Sequence, residues 1–138
     1  MANPLITNFD RSKTFVWNAR TETGNNTNST YDDVTILKAT LMGRISASGL
    51  LIPLKSGASD GSQFPVGVLL ADTIVEAGAT DVITIVVAGD VVADKIVFDG
   101  SDTLETVVSG RRLMDRIGSD TVGIKLVGDD QLTGYDNQ

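Results

Sequence analysis

The residue types that carry most protein chemistry are absent from this chain or wrongly spaced in it. There is no histidine, which removes the commonest general base and metal ligand. There is no cysteine either, so thiolate nucleophiles, disulfides and Cys-based metal sites are excluded. Serine hydrolysis without His can run through a Ser-x-x-Lys pair, yet none of the five lysines has Ser three positions earlier. Asp99-Gly100-Ser101-Asp102-Thr103-Leu104-Glu105 invites a calcium reading. It fails the EF-hand pattern, because Gly100 is not preceded by acidic residues at the two- and four-residue offsets, and a helix-capping turn is the expectation. Asp60-Gly61 reads as a turn in the same way. Gly57, Gly61 and Gly67 make no phosphate loop, since no Gly-Lys-Ser/Thr follows them. A carboxylate pair for acid–base work needs acids on facing strands, which sequence alone does not establish. The expectation is a protein that is not an enzyme, with no catalytic residue, no metal and no cofactor.

A binding segment is easier to find. Thr14-Phe15-Val16-Trp17 is apolar and β-prone, holds the only Trp, and is flanked by Arg11, Lys13 and Arg20. An extended arm of this kind adds a strand to an exposed sheet edge, where main-chain hydrogen bonds give affinity and alternate side chains give register. In the alternative, Phe15 and Trp17 tuck onto the domain's own core. Arg20 to Thr30 (RTETGNNTNST) has nothing to bury and reads as a linker or long loop. Asn25-Asn26-Thr27 and Asn28-Ser29-Thr30 fit the glycosylation pattern but, without a secretory signal, read as polar loop.

The elements that position any site are mostly strands. Val34-Thr35-Ile36-Leu37 opens the body. Met42-Gly43-Arg44-Ile45-Ser46 alternates apolar and polar residues, the period of a half-buried strand. Ala47-Ser48-Gly49 turns the chain into Leu50 to Leu54, where Pro53, lacking an N–H, predicts an edge strand. After the small-residue loop Ser56 to Ser62, Phe64 to Leu70 is a mostly apolar strand, and Gly67 within it predicts a bulge or close backbone approach. Asp81 to Ala88 (DVITIVVA) is rich in Val, Ile and Thr and is the clearest strand. Gly89-Asp90 is read as a turn into Val91 to Phe98. A helix is expected from about Asp102 to Ile117, capped by Ser101 or Asp102 with Glu105 in its first turn. Leu104, Val107, Val108, Met114 and Ile117 would share one of its faces, and Gly110 would bend it. Arg111, Arg112 and Arg116 would complement its dipole, and Gly118 would end it. Val122 to Val127 returns to the sheet. The division is an arm and polar linker over 1–33, a β body over 34–128 and a loose tail over 129–138.

Composition sets limits on partners. At 138 residues the chain fits one domain, able to bury roughly two-thirds of its unfolded surface. Aromatics are scarce, so Val, Ile, Leu and Ala must fill the core. The net charge of −7 is uneven, with residues 1–44 at +1 and residues 45–138 at −8. An acidic body argues against direct nucleic-acid binding, which needs a basic face. No apolar run approaches the roughly 18 residues that span a bilayer, so no membrane partner is expected. Met1 to Phe9 lacks the charged start and apolar stretch of a signal peptide. Synthesis in a cytoplasm-like setting, or residence on a particle assembled there, is expected.

The order of the body's turns and strands is more specific than any one of them. Gly43-x-Ile45, Ala47-Ser48-Gly49, Pro53, the loop Ser56 to Ser62 and Pro65-Val66-Gly67-Val68-Leu69 come first. Asp72, Thr80-Asp81 and Ala88-Gly89-Asp90-Val91 follow them. The chain in this respect resembles lambda-type bacteriophage head decoration proteins over about residues 36 to 127, and its first 35 or so residues look longer than that family's usual arm. The resemblance implies a small β-clip-like (β-tulip-like) single domain, mainly β, with one short helical segment and an extended N-terminal arm. It also implies a virion protein on the outer surface of the capsid, made in the host cytoplasm. There a homotrimer at each three-fold position would bind the major capsid protein through the arm, Thr14 to Trp17, and clamp its subunits against the pressure of packaged DNA. Two further readings stay open: a β-rich phage fibre or adhesin module, and an enzyme on a related small β fold such as a nucleotide hydrolase.

Overall fold

The Val- and Ile-rich segment expected as the clearest strand becomes the axis of the molecule. The computed structural model describes residues 15–120 and 123–128. In it β7 (Thr80–Val92) runs for 13 residues. Along one edge it pairs antiparallel with β1 (Val16–Thr27), from Val16 opposite Val91 to Thr27 opposite Thr80. Its other edge is shared. Val86 and Ile85 face Val68 and Leu69 of β5 (Pro65–Leu69), whereas Gly89 to Val92 pair in parallel with β10 (Ile124–Val127). Beyond β5 lie β3 (Leu41–Arg44) and then β4 (Leu51–Pro53), giving a six-stranded sheet. Two short ribbons flank it: β2 (Val34–Ile36) with β6 (Thr73–Val75), and β8 (Val107–Val108) with β9 (Arg111–Arg112). One 3-10 turn covers Ala93–Lys95, and the helix α1 covers Leu113–Asp120. The described residues form a small, mainly β domain with one short helix, as expected. Pro53 does sit on an edge strand, whose sole ladder partner among the described residues is β3.

Successive residues of the central strands feed opposite cores, because side chains alternate across a sheet. Leu41, Val68, Val86 and Val91 face one cluster, which also takes Phe15, Leu54, Leu113, Ile117 and Ile124. Met42, Leu69, Ile83, Ile85 and Val87 face the other, closed by Ile36, Leu51 and Val75. A sheet buried on both faces reads as a nearly continuous apolar run, which is the appearance of Pro65 to Leu69. The sheet also curls until its end strands meet. Asn26 Nδ2 donates to the Leu51 carbonyl at 2.8 Å, and a Cβ on Gly24 would fall 2.5 Å from Leu51 Cδ1.

Within β5 the expected irregularity is present. Met42 faces Gly67 but Gly43 faces Pro65, leaving Val66 as the extra residue of a bulge. Any side chain at Gly67 would begin 2.5 Å from the Val86 carbonyl oxygen, so the close approach of β7 requires glycine there.

Three expectations are corrected. The polar stretch from Arg20 to Thr30 is not a linker, because most of it lies in β1, and the described part of the first 33 residues, from Phe15 on, is therefore not separate from the body. Its Thr residues at 21 and 23 alternate with charged neighbours along a strand whose apolar support comes from β7. Its buried asparagines are satisfied. Asn28 Nδ2 donates to Asp32 O and Val75 O at 2.8 and 2.9 Å, and its Oδ1 accepts from Thr30 N–H and hydroxyl. With both ends so engaged and the side chain buried, Asn28 has no place for a glycan.

Gly89-Asp90 is not a turn between two strands. Both residues lie inside β7, which β1 and β10 hold extended on either side. The helix, finally, is shorter and later than 102–117. Val107 to Arg112 form a hairpin whose turn residues Ser109 and Gly110 have φ of 49° and 83°. Positive φ at both central positions is what a two-residue hairpin turn needs, and a Ser-Gly pair supplies it readily. The helix begins at Leu113, and Gly118 lies within it. Asp102 caps no helix and instead accepts from the Ser56 amide and hydroxyl at 3.1 and 2.6 Å, bracing the loop after β4.

Candidate capsid-binding site

The segment expected to bind a partner is divided between core and surface. Thr14 lies outside the described residues. Phe15 is 5% exposed and belongs to the cluster around Val91 and Leu113, with its carbonyl accepting from Val92 N–H at 2.8 Å. Val16 packs against the same cluster while half-buried, and Trp17 is half-buried opposite Asp90. For Phe15 the alternative reading therefore holds, since its ring is committed to this domain's own core.

Immediately after Trp17 the strand kinks. Trp17 pairs with Asp90 and Arg20 with Ala88, so Asn18 and Ala19 face the single residue Gly89. Asn18 has φ of 55° and Gly89 of 130°. A Cβ on Gly89 would fall 2.7 Å from the Trp17 carbonyl oxygen. The bulge re-aims β1 at this point, which is the usual effect of such an insertion.

Past the kink, Asn18 to Thr23 are exposed on both faces. β1 ends the strand order, so among the described residues its outer edge has no strand beside it. The edge carries Arg20 and Glu22, 3.8 Å apart and exposed, and no large apolar side chain. Charge on an open edge discourages indiscriminate pairing. The apolar part of the edge is confined to its start, at Val16 and Trp17.

Elsewhere the polar groups serve the fold. Asp60 accepts from Ser62 Oγ at 2.6 Å and Ser62 N–H at 3.0 Å, and these bonds hold its carboxyl below the usual range. It lines an open cleft of about 600 Å³ with Arg44, Ser46, Gln63 and Phe64. Hydrogen bonds from Arg112 to Asp115, then to Glu105, raise the guanidinium's pKa, with contacts of 3.1 and 3.0 Å. Arg116, expected to serve the helix dipole, is buried. Its Nε donates to Val108 O at 2.8 Å, its Nη2 to Ser109 O at 3.3 Å, and its guanidinium lies 4.9 Å from the Phe64 ring centroid. Among the described residues no group of three or more acidic side chains is placed to hold a metal.

Fold and surface together define a small β domain with an apolar start to one open edge and a braced, two-sided core. A model of the family described as bacteriophage lambda head decoration protein D matches residues 12–108. The match spans more than half of the chain, and the chain belongs to that family. It begins well before residue 36, so Thr14 to Trp17 and all of β1 fall inside the family's pattern, while β9, α1 and β10 lie beyond it. No curated protein matches the chain. Membership makes this a structural protein of the phage head, associated with the capsid of the virion.

Proposed function

We propose that the protein decorates the outer surface of the head as homotrimers at three-fold sites. There it clamps neighbouring major capsid protein subunits against the outward pressure of packaged DNA, without catalysis, cofactor or direct contact with nucleic acid. The observation that carries this reading is the family match over residues 12–108. Within the segment Thr14, Phe15, Val16 and Trp17, we assign the contact to Trp17, to the main-chain edge at Val16 and to Thr14 with the residues before it. Phe15 anchors that contact to the body. Burial of a single Trp anchor contributes several kcal/mol at many interfaces, on the order of 2–4. Three linked copies of one modest contact hold far more tightly than one, because each bound copy raises the local concentration of the next.

The test uses bare heads of the cognate phage, heated with and without saturating protein. Decorated heads are expected to release DNA at a higher temperature, and a reconstruction of them to show density over the three-fold positions. Equal bursting temperatures would remove the clamp.

A further inference from the structure

The tripeptide Asp-Gly-Ser occurs twice in this chain, as Asp60-Gly61-Ser62 and Asp99-Gly100-Ser101, and no other Asp, and no Asn, is followed by Gly. An Asp-Gly pair is prone to cyclise, because the glycine has no side chain to obstruct the approach of its amide nitrogen to the aspartyl carboxyl. Backbone shape and exposure do not separate the two copies. Gly61 has φ of 103° and Gly100 of 109°, and both aspartates are exposed. Hydrogen bonding does separate them.

At the first copy each reacting group is held. Asp60 Oδ1 accepts from Ser62 N–H at 3.0 Å and from Ser62 Oγ at 2.6 Å. Gly61 N–H, on the nitrogen that would attack, donates to Gln63 Oε1 at 2.9 Å. The Asp60 carbonyl accepts from Ser46 N–H at 2.8 Å, and a side chain at Gly61 would collide with Ser46 Oγ. The Ser62 hydroxyl, and then its amide, also favour the ionised carboxylate, which loses oxygen less readily than the acid.

At the second copy none of these restraints is present. Asp99, Gly100 and Ser101 make no hydrogen bond or ion pair among the described residues, and a Cβ on Gly100 would meet nothing within 4 Å. The tripeptide hangs between two fixed points. Phe98 packs against the core cluster, and Asp102 accepts from the Ser56 amide and hydroxyl.

We infer that Asp99-Gly100 is a site of spontaneous aspartate isomerisation in the folded protein, and that the fold withholds the same chemistry from Asp60-Gly61. The Gly100 nitrogen forms a bond to Asp99 Cγ and gives up its proton, which leaves with the carboxyl hydroxyl as water. The product is a succinimide, in which that nitrogen is bonded to both Asp99 carbonyl carbons. Water then opens the ring. Breaking the new bond restores aspartate, whereas breaking the original peptide bond leaves isoaspartate, with the main chain running through Cβ and Cγ. One water leaves and one enters, so no other reactant is needed. The extra main-chain atom between Phe98 and Asp102 shifts Asp102 against Ser56 and loosens the brace on the loop after β4. A protein carried on a virion is not renewed by synthesis, so the product accumulates as the particle ages.

The test incubates the full-length protein in heavy-oxygen water below its melting temperature, folded and, in parallel, in denaturant. Trypsin then puts the two copies on separate peptides, residues 56–95 and 96–111. Mass spectrometry reads the heavy oxygen, and methyl transfer by an isoaspartyl methyltransferase reads the isoaspartate. In the folded protein both signals are expected in peptide 96–111. Peptide 56–95 should convert about tenfold or more slowly, because three hydrogen bonds at Asp60 and Gly61 must open first. In denaturant the two should convert alike. Asp99→Glu, whose longer side chain would close a less favourable ring, should lose the signal from 96–111. Equal conversion at both copies in the folded protein would overturn the inference, as would conversion at neither. Denatured protein that still converts at Asp99 alone would also overturn it, by taking the selectivity away from the fold. Isomerised protein, separated by chromatography, should exchange the Ser56 amide faster than the parent, and unchanged exchange would overturn the loosening of the brace.

Discussion

Arg116 shows how one residue can join three elements. From within α1 it donates to two carbonyls of the β8–β9 turn and lies over Phe64 beside β5. Replacement by Met keeps the apolar stem but leaves the buried Val108 carbonyl without this donor, a loss of about 1–3 kcal/mol. Arg116→Met should lower the melting temperature measurably by calorimetry, and an unchanged melt would show that the carbonyl finds another donor. Asp60 gives the pH-dependent counterpart. Its folded-state pKa is held below the ordinary value by the two bonds from Ser62. Its contribution is therefore present above the unfolded pKa of about 3.9 and is lost as pH falls through the folded value. Wild type should melt above Asp60→Asn at pH 7, and the gap should close as pH falls below about 4. A gap that persists at low pH would mean the charge on Asp60 is not what stabilises the loop.

At the scale of elements, Phe15 and β1 belong to the body, so no boundary falls after the polar stretch. Deleting residues 1–13 should leave thermal stability close to wild type and weaken binding to heads, and adding Trp17→Ala to that deletion should abolish it, measured by cosedimentation. Deleting 1–20 removes Phe15 from the core, and loss of a buried Phe side chain alone costs about 3–5 kcal/mol, so this protein should be largely unfolded or strongly destabilised. Normal binding by the shorter deletion would take the arm out of the contact. The helix follows the same logic of support. Leu113 and Ile117 are fully buried, and Leu113 and Met114 N–H groups donate to Thr106 and Leu104 carbonyls. An eight-residue helix is too short to persist by propensity alone, and these contacts hold it.

For the whole molecule, β7 is shared by both hydrophobic clusters and three strands of the main sheet. Opening either core should disturb the other, so unfolding is expected as one cooperative transition. Amide exchange should be slowest in β7 around Ile83 to Val87 and fastest along the open edge of β1 near Arg20 to Thr23, following the local density of buried contacts. Two separate calorimetric transitions would show that the cores are independent.

Mainly β architecture, the edge position of Pro53, the Gly67 bulge and the membership later matched over residues 12–108 were all legible from residue order. Each depends on local chemistry: period-two alternation, a missing N–H, a missing Cβ. The missing His and Cys likewise narrowed the possible chemistry at once. What residue order could not reveal depends on partners distant in sequence. Arg20 to Thr27 look like a solvated linker until β7, some sixty residues later, supplies the ladder and the apolar support. The Thr residues at 21 and 23 were the one local sign. Gly89 reads as a turn because positive φ usually ends a strand, but β1 and β10 hold the chain straight through it. The spacing of Leu104 to Ile117 fits a helix, yet Ser109-Gly110 folds it into a hairpin whose Val108 and Ser109 carbonyls Arg116 then satisfies. Phe15 carried the same ambiguity. An apolar residue near a chain end suits an interface or a core equally well, and only the packing of Val91, Leu113 and Ile124 decides that it is core.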